Sequence, residues 1–107
     1  MSQWHDVGEP DDFPDQAVWP VRAAGVELAV FRLGTELHAL HDRCTHGMAR
    51  LSDGYVEDGC VECPLHQGLF HIATGEPRCA PVTEAVRTFP VRVVAGRVQV
   101  CVEEVTQ

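Results

Sequence analysis

Two short segments of the chain combine a thiol with an imidazole at spacings that suit metal binding. The first is Cys44-Thr45-His46-Gly47 and the second is Cys63-Pro64-Leu65-His66-Gln67-Gly68, with sixteen residues between His46 and Cys63. Thiolates and imidazoles together suit zinc, or an iron–sulfur cluster in which two histidines replace two cysteines. The glycines let backbone N–H groups approach an anionic sulfur, because no Cβ stands in the way.

The chain contains five cysteines, an odd number that cannot pair completely into disulfides. The spacing leaves a zinc site open as an alternative, because Cys60, Cys63 and His66 also follow one another at ligand-like intervals. We expect Cys60 to lie on a strand beyond a tight turn and to point away from such a site. The prediction for Cys60, Cys79 and Cys101 is therefore that they are small, buried, apolar side chains.

The composition indicates a single domain, spanning 1–107, with a strongly acidic surface. The formal net charge is −8, and all eight basic residues are arginines. A chain without a basic stripe is a poor candidate for binding nucleic acid or anionic membranes. It has no apolar run of about 20 residues, and its first residues lack the cationic and apolar stretches of a secretory signal. We therefore expect a cytoplasmic protein.

The spacing of turn signals predicts an all-β protein. Short apolar runs separated by Gly-containing turns predict strands over 17–22, Val26–Leu33, Glu36–His41, 90–94 and 97–102. Shorter strands are predicted at Tyr55–Glu57, Cys60–Glu62 and 70–72, inside a turn-rich region of about 42–82 that we interpret as a small inserted β subdomain. The first fifteen residues carry five acids and are expected to wrap around the surface.

The two metal-binding segments resemble the signature of Rieske proteins, C-x-H followed by C-x-x-H, which hold a [2Fe–2S] cluster. The flanking residues Ser52-Asp53-Gly54, Thr74-Gly75 and Cys79-Ala80-Pro81 are similar to those of soluble ferredoxins from bacterial ring-hydroxylating dioxygenases, the naphthalene type in particular. The resemblance implies the Rieske iron–sulfur fold, with antiparallel basal sheets and an inserted small β cluster-binding subdomain.

The resemblance also implies a ligand set and a docking surface. Cys44 and Cys63 would bind the inner iron as thiolates, and His46 and His66 would bind the outer iron as neutral imidazoles. Half-exposed side chains around the cluster would contact partner proteins; the candidates are Met48, Leu65, Gln67 and Pro81.

The implied function is that of a one-electron carrier rather than an enzyme. It would take electrons from a flavin-containing, NAD(P)H-dependent reductase and pass them to a terminal oxygenase with its own Rieske cluster and mononuclear iron, and it would bind no small-molecule substrate. The alternatives are a small Rieske-like subunit of a nitrite reductase and a non-redox interaction module stabilised by zinc. The acidic surplus could steer encounters with basic partner surfaces.

The expected redox potential lies at the low end of the Rieske range, which is roughly −150 to +300 mV. Respiratory Rieske proteins carry a disulfide at the positions of Ala49 and Leu65, and a serine that bonds a cluster sulfide at the position of Gly68. Without these groups, the negative charge added on reduction is less stabilised.

Overall fold

The computed structural model describes residues 3–43, 49–64, 68–79 and 84–102. Its strands are β1 (Trp4–Gly8), β2 (Ala17–Ala23), β3 (Val26–Leu33), β4 (Glu36–His41), β5 (Tyr55–Glu57), β6 (Cys60–Glu62), β7 (Leu69–His71), β8 (Pro77–Cys79), β9 (Thr88–Phe89), β10 (Val91–Val94) and β11 (Arg97–Cys101). Two single 3₁₀ turns are formed by Pro10–Asp12 and Leu51–Asp53. The all-β prediction is confirmed. None of the helices in the described ranges is long or apolar enough to cross a membrane.

The strands form three antiparallel sheets. The first sheet has the order β1-β11-β10, the second β2-β3-β4-β9 and the third β5-β6-β7-β8. Two-residue turns join β2 to β3, β3 to β4, β5 to β6 and β10 to β11, as the turn signals predict. In the turns Ala24-Gly25, Asp58-Gly59 and Ala95-Gly96, both residues have positive φ values between 51° and 78°. That backbone twist matches the right-handed twist of the flanking strands.

Two cores separate the three sheets. The basal core lies between the first and second sheets and contains Phe13, Ala23, Leu28, Val30, Ala39, Phe89, Val98, Val100 and Val102. The distal core lies between the second and third sheets and contains Ala29, Phe31, Leu40, Leu51, Val61, Cys63, Phe70, Ile72 and Val86. The predicted common face of the valines at 98, 100 and 102 is confirmed, because all three are buried in the basal core.

Strand β3 contributes to both cores because the second sheet is covered on both faces. Leu28 and Val30 point into the basal core, whereas Ala29 and Phe31 point into the distal core. Alternate side chains of a strand point to opposite faces of its sheet, and this strand is therefore apolar on both. The distal core ties the third sheet, and the loops that leave it, to the rest of the protein.

The N-terminal segment does not wrap around the surface, contrary to the expectation from its acidic composition. Its residues Trp4–Gly8 form β1, which pairs with β11 at the other end of the chain, and Phe13 is buried in the basal core. The acidic side chains are compatible with a strand because Asp6 lies on its exposed side, where both carboxylate oxygens accept hydrogen bonds from Arg97 at 2.8 Å.

Candidate metal centre

The loop that carries the first predicted metal-binding motif is closed at its base by strand-like pairing. Arg43 and Arg50 form an isolated antiparallel bridge, and the backbone N–H of Leu51 donates to the carbonyl of Asp42 at 2.7 Å. The chain therefore leaves the end of β4 and returns beside it. The predicted site residues Cys44, His46 and Met48 belong to this loop and lie outside the described residues.

A buried carboxylate joins the two ends of this loop. Asp42 is 2% exposed, and its oxygens accept hydrogen bonds from the backbone N–H and the hydroxyl of Ser52, both at 2.7 Å. Burial raises the pKa of Asp42, and the two hydrogen bonds from Ser52 oppose that rise. Asp42, which follows β4 and leads into the loop, is thus hydrogen-bonded to the 3₁₀ turn that follows the loop.

The loop that carries the second predicted metal-binding motif is closed in a similar way. The backbone N–H of Cys63 donates to the carbonyl of Gly68 at 2.8 Å, which joins the end of β6 to the start of β7. Cys63 is 1% exposed and packs in the distal core. The predicted residues Leu65, His66 and Gln67 lie between these two positions and outside the described residues.

The bases of the two loops are in direct contact. Gly54, just after the 3₁₀ turn that follows the first loop, lies against the carbonyl oxygen of Glu62, the residue before Cys63. A Cβ at this position would overlap that oxygen, so only glycine permits the approach. Leu51 and Cys63 are also members of the same core. The fold therefore brings the flanks of the two loops together at one end of the third sheet.

Backbone hydrogen bonds also join the segments on either side of residues 80–83. The N–H of Gly75 donates to the carbonyl of His71 at 2.7 Å, and the N–H of Val86 donates to the carbonyl of Gly75 at 2.8 Å. Gly75 has a φ of +74°, and a Cβ there would overlap the carbonyl oxygen of Val86. The loop so held carries Pro81, which lies outside the described residues.

The geometry of Cys60 argues against the zinc alternative. Cys63 lies three residue steps beyond Cys60 along extended chain, a rise of about 10 Å, whereas two sulfurs on one zinc ion are each about 2.3 Å from the metal. Cys60 also points away from the distal core that holds Cys63, and its sulfur lies 3.3 Å from Nη1 of Arg78. Cys60 and Cys101 are both buried, as predicted.

The described residues fit one part of a cluster site. Cys63 supplies a buried sulfur, which would suit a thiolate on the inner iron, and the contact at Gly54 joins the segments that flank the two loops. Among the described residues, no three side chains of His, Cys, Asp or Glu are placed to hold a metal ion together; the remaining candidate ligands, Cys44, His46 and His66, are not among them.

Two supporting features were not found from the sequence. The bond between Asp42 and Ser52 and the contact between Gly54 and Glu62 each join residues that spacing alone does not bring together. The only available signal was the sequence Ser52-Asp53-Gly54, which the resemblance identified without assigning it a role.

Comparisons with known proteins agree with this geometry. A family profile described as the Rieske [2Fe–2S] domain matches residues 3–90. The anthranilate 1,2-dioxygenase ferredoxin subunit of Burkholderia cepacia is 57% identical over 101 residues, 94% of this chain and 93% of that protein. The ferredoxin component of the naphthalene 1,2-dioxygenase system of Pseudomonas putida is 42% identical over 98 residues, 92% of this chain and 94% of that protein.

Solved structures give the same result. A chain from the complex of reduced oxygenase and oxidized ferredoxin in carbazole 1,9a-dioxygenase has a TM-score of 0.89 and 36% identity, with 97% of each chain covered. A Mycobacterium tuberculosis chain assigned provisionally as an NADH-dependent nitrite reductase small subunit has a TM-score of 0.87 and 26% identity, with 98% of this chain and 99% of that chain covered. The higher sequence identities thus favour the dioxygenase ferredoxins over the nitrite reductase alternative. The chain belongs to the Rieske [2Fe–2S] family and, within it, to the ferredoxin components of bacterial aromatic-ring dioxygenase systems.

Proposed function

We propose that this protein carries single electrons from a flavin-containing, NAD(P)H-dependent reductase to the terminal oxygenase of an aromatic-ring dioxygenase system. As a Rieske ferredoxin it is an electron-transfer component and makes or breaks no substrate bond. The observation that carries the proposal is the contact between the two loop bases at Gly54 and Glu62, since one cluster can be shared only by loops that start side by side. The Rieske [2Fe–2S] cluster supplies the one-electron redox couple.

We assign the cluster ligands as Cys44 and Cys63 on the inner iron, and His46 and His66 on the outer iron. The burial of Cys63 supports its place on the inner iron, because a thiolate withdrawn from water is protected from oxidation and exchange. The chain's own part is to hold both loops: hydrogen bonds close each base, and the distal core fixes Cys63. Two sulfur and two nitrogen ligands suit a cluster of raised potential.

The unit that holds the cluster is proposed to be the third sheet with its loops, residues 42–82, inside a single domain of 1–107. A cytoplasmic location is proposed with it, because a flavoprotein reductase that uses NAD(P)H requires a cytoplasmic supply of that cofactor. Nothing in this role requires a nucleic acid, a membrane or a small-molecule substrate.

The ligand assignment is tested by purifying the protein anaerobically and measuring iron, acid-labile sulfide and the electron paramagnetic resonance spectrum of the reduced form. Alanine at Cys63 or His66 should abolish the Rieske spectrum, whereas Cys60→Ala and His71→Ala should retain it. Cys60 and His71 lie on the same sheet, so they control for general damage to it. Colourless protein containing zinc, or an unchanged spectrum in Cys63→Ala, would contradict the assignment.

The carrier role is tested separately by reconstitution with a dioxygenase reductase and its oxygenase. The protein should be reduced by the first and reoxidised by the second, and substrate oxidation should depend on its presence. An intact cluster that neither partner reduces nor oxidises, combined with copurification in a nitrite reductase, would favour the alternative subunit role.

Met48, Leu65, Gln67 and Pro81 remain our proposed docking residues around the cluster. A charge in such an apolar surface should hinder close approach of the oxygenase. We expect Leu65→Glu to slow electron transfer to the oxygenase while the visible spectrum stays that of the wild type. An unchanged transfer rate would remove Leu65 from the docking surface.

A further inference from the structure

A single charged side chain is buried at the base of the first loop. Among the residues that the structure describes, Asp42 is the only charged one that is buried. An ionised carboxylate withdrawn from water must be compensated by hydrogen-bond donors. Here the backbone N–H of Ser52 donates to Oδ1 and the Ser52 hydroxyl donates to Oδ2. Both oxygens of Asp42 therefore act as acceptors, which is the arrangement of a carboxylate.

The two hydrogen bonds to Ser52 do not by themselves require a charge at position 42. Asparagine has the same shape: its side-chain oxygen can accept from the N–H of Ser52, and its amide N–H can donate to the hydroxyl. A neutral side chain would also avoid the cost of removing an ionised group from water. The charge of Asp42 is therefore a feature that joining the two ends of the loop does not explain.

The Asp42 carboxylate is close along the chain to both proposed thiolate ligands. Asp42 precedes Cys44 by two residues, which limits the separation of their Cα atoms to about 7 Å. Its hydrogen-bond partner Ser52 directly follows Leu51, which packs in the same core as Cys63. A buried charge is screened by salt much less than an exposed one, so it acts over distances of this order.

Two charged neighbours act on the Asp42 carboxylate, one of each sign. They are the guanidinium of Arg50 and the carboxylate of Asp53. The Arg50 side chain is more than half exposed and forms an ion pair with Glu27, and Asp53 is exposed as well. Water screens both of these charges more strongly than it screens Asp42. The buried carboxylate is therefore the dominant charge at the base of this loop.

We propose that the buried carboxylate of Asp42 lowers the redox potential of the cluster. This inference rests on the proposed carrier function and its ligand assignment. One-electron reduction would change a site with two thiolate and two neutral imidazole ligands from formally neutral to singly negative. A fixed negative charge nearby disfavours the reduced form. Asp42 thus adds a second cause to the low potential expected from the sequence, and it favours release of the electron to the oxygenase.

Two variants should shift the midpoint potential in opposite directions. Asp42→Asn removes the charge and keeps the shape, so the equilibrium constant for reduction should rise about three- to tenfold, or about 30–60 mV for a one-electron couple. Ser52→Ala keeps the charge but removes one of its donors, so the carboxylate is less compensated and the midpoint should fall. Asp53→Asn is the matched control, because it removes an exposed carboxylate next to Ser52 and should shift the midpoint less.

The midpoint is measured by anaerobic redox titration of each holoprotein at one fixed pH and salt concentration, followed by visible absorbance. The electron paramagnetic resonance spectrum of each reduced variant verifies that the cluster is intact. A rise in Asp42→Asn together with a fall in Ser52→Ala supports the proposal, because a mere loosening of the loop base would move both variants in the same direction. If Asp42→Asn fails to retain a cluster, the direction of the shift in Ser52→Ala decides.

Three results would overturn the role of the buried charge. They are an unchanged midpoint in Asp42→Asn, shifts of Asp42→Asn and Ser52→Ala in the same direction, and an equal rise in Asp53→Asn. Failure of the carrier function is a different result, in which an intact cluster exchanges electrons with neither partner protein while the midpoint still shifts as expected. A wild-type protein without a Rieske spectrum would overturn both.

Discussion

Gly54 lies so close to the carbonyl oxygen of Glu62 that no side chain can stand between them. The contact joins the segment that follows the first loop to the residue that precedes Cys63. Its cause is steric and not conformational, because Gly54 has a φ of −89°, which any residue can adopt. The relative position of the two loops therefore depends on a single missing Cβ.

Gly54→Ala is predicted to separate the two loops and to impair cluster retention. The added methyl group would force the backbone of β6 outward, and an overpacked site of this kind costs about 1–3 kcal/mol. We expect less iron and sulfide per chain after anaerobic purification, and faster loss of visible absorbance on warming.

Gly96→Ala is the control for this substitution. Gly96 has a φ of +75°, so alanine introduces backbone strain there, but a Cβ would meet nothing within 4 Å. This variant should be less stable and yet hold a full cluster. Normal iron and sulfide in Gly54→Ala would show that the contact does not position the loops.

The elements that the sequence predicted well are those formed by local signals. The bounds of β3 through β6 follow from alternating residues and two-residue turns, and the structure agrees with them. By contrast, β1 and β9 pair with strands remote in sequence, and the composition of Trp4–Gly8 carries no sign of its partner. The boundary differences in the other predicted strands are of one residue, as in β7, which is Leu69–His71 in place of the predicted 70–72.

The sequence also predicted the candidate metal centre only as far as local signals reach. The spacing of the two motifs was enough to predict a [2Fe–2S] cluster because the candidate ligands of each motif lie within a few residues of each other in the sequence. The supporting contacts join separate segments, as Asp42 does with Ser52, and they depend on how the sheets pack. One surface cavity is likewise lined by Arg22 of β2 and by Arg50, which follows the first loop, and only the three-dimensional structure could place these residues together.

Ser52→Ala is predicted to destabilise the protein through the buried carboxylate of Asp42. The substitution removes the hydroxyl donor to that carboxylate at 2.7 Å while the backbone donor remains. A hydrogen bond to a charged group contributes about 1.5–3 kcal/mol, and one to a neutral group about 0.5–1.5 kcal/mol. The free energy of unfolding, measured with denaturant, should therefore fall by about 1.5–3 kcal/mol.

The Asp42→Asn background isolates the charged partner. In that background, Ser52→Ala should lower the free energy of unfolding by the smaller of the two amounts, because the hydroxyl that it removes faces a neutral amide. An equal loss in both backgrounds would mean that Ser52 acts through packing, not through Asp42.

The ion pair between Asp6 and Arg97 should make stability depend on pH in the acid range. The hydrogen bonds from Arg97 lower the pKa of Asp6 from its ordinary value of 3.8. A carboxyl group whose pKa is lower in the folded state contributes stability above its unfolded pKa, and that contribution disappears as the pH falls through the folded pKa. Asp6→Asn should accordingly be less stable than the wild type at neutral pH.

The difference in stability between Asp6→Asn and the wild type should shrink steadily below about pH 4. Urea unfolding midpoints at a series of pH values measure it. Asp11→Asn, in the nearby 3₁₀ turn, is the control for loss of one negative charge and should show little such dependence. A constant difference down to the lowest pH would contradict a role for the ionised carboxylate.

Asparagine at positions 24 and 95 is predicted to stabilise the protein. Ala24 and Ala95 have φ values of 51° and 52°, each followed by a glycine that also has positive φ. Alanine in this left-handed conformation costs roughly 1–2 kcal/mol, whereas asparagine tolerates it, and Asn-Gly is the preferred pair for such turns. The third turn of this kind already has a favourable residue, Asp58, before Gly59.

Each substitution should add about 0.5–1 kcal/mol to the free energy of unfolding and raise the melting temperature by about 2–6 °C in a domain of this size. The two effects should add, because the turns belong to different sheets. Ala85→Asn is the control at an exposed position that is absent from the positive-φ set, and it should bring no gain. Circular dichroism melting curves of the holoprotein measure all three. Equal shifts at all three positions would mean that asparagine acts through the surface generally, whereas a gain confined to positions 24 and 95 identifies the turn backbone as the cause.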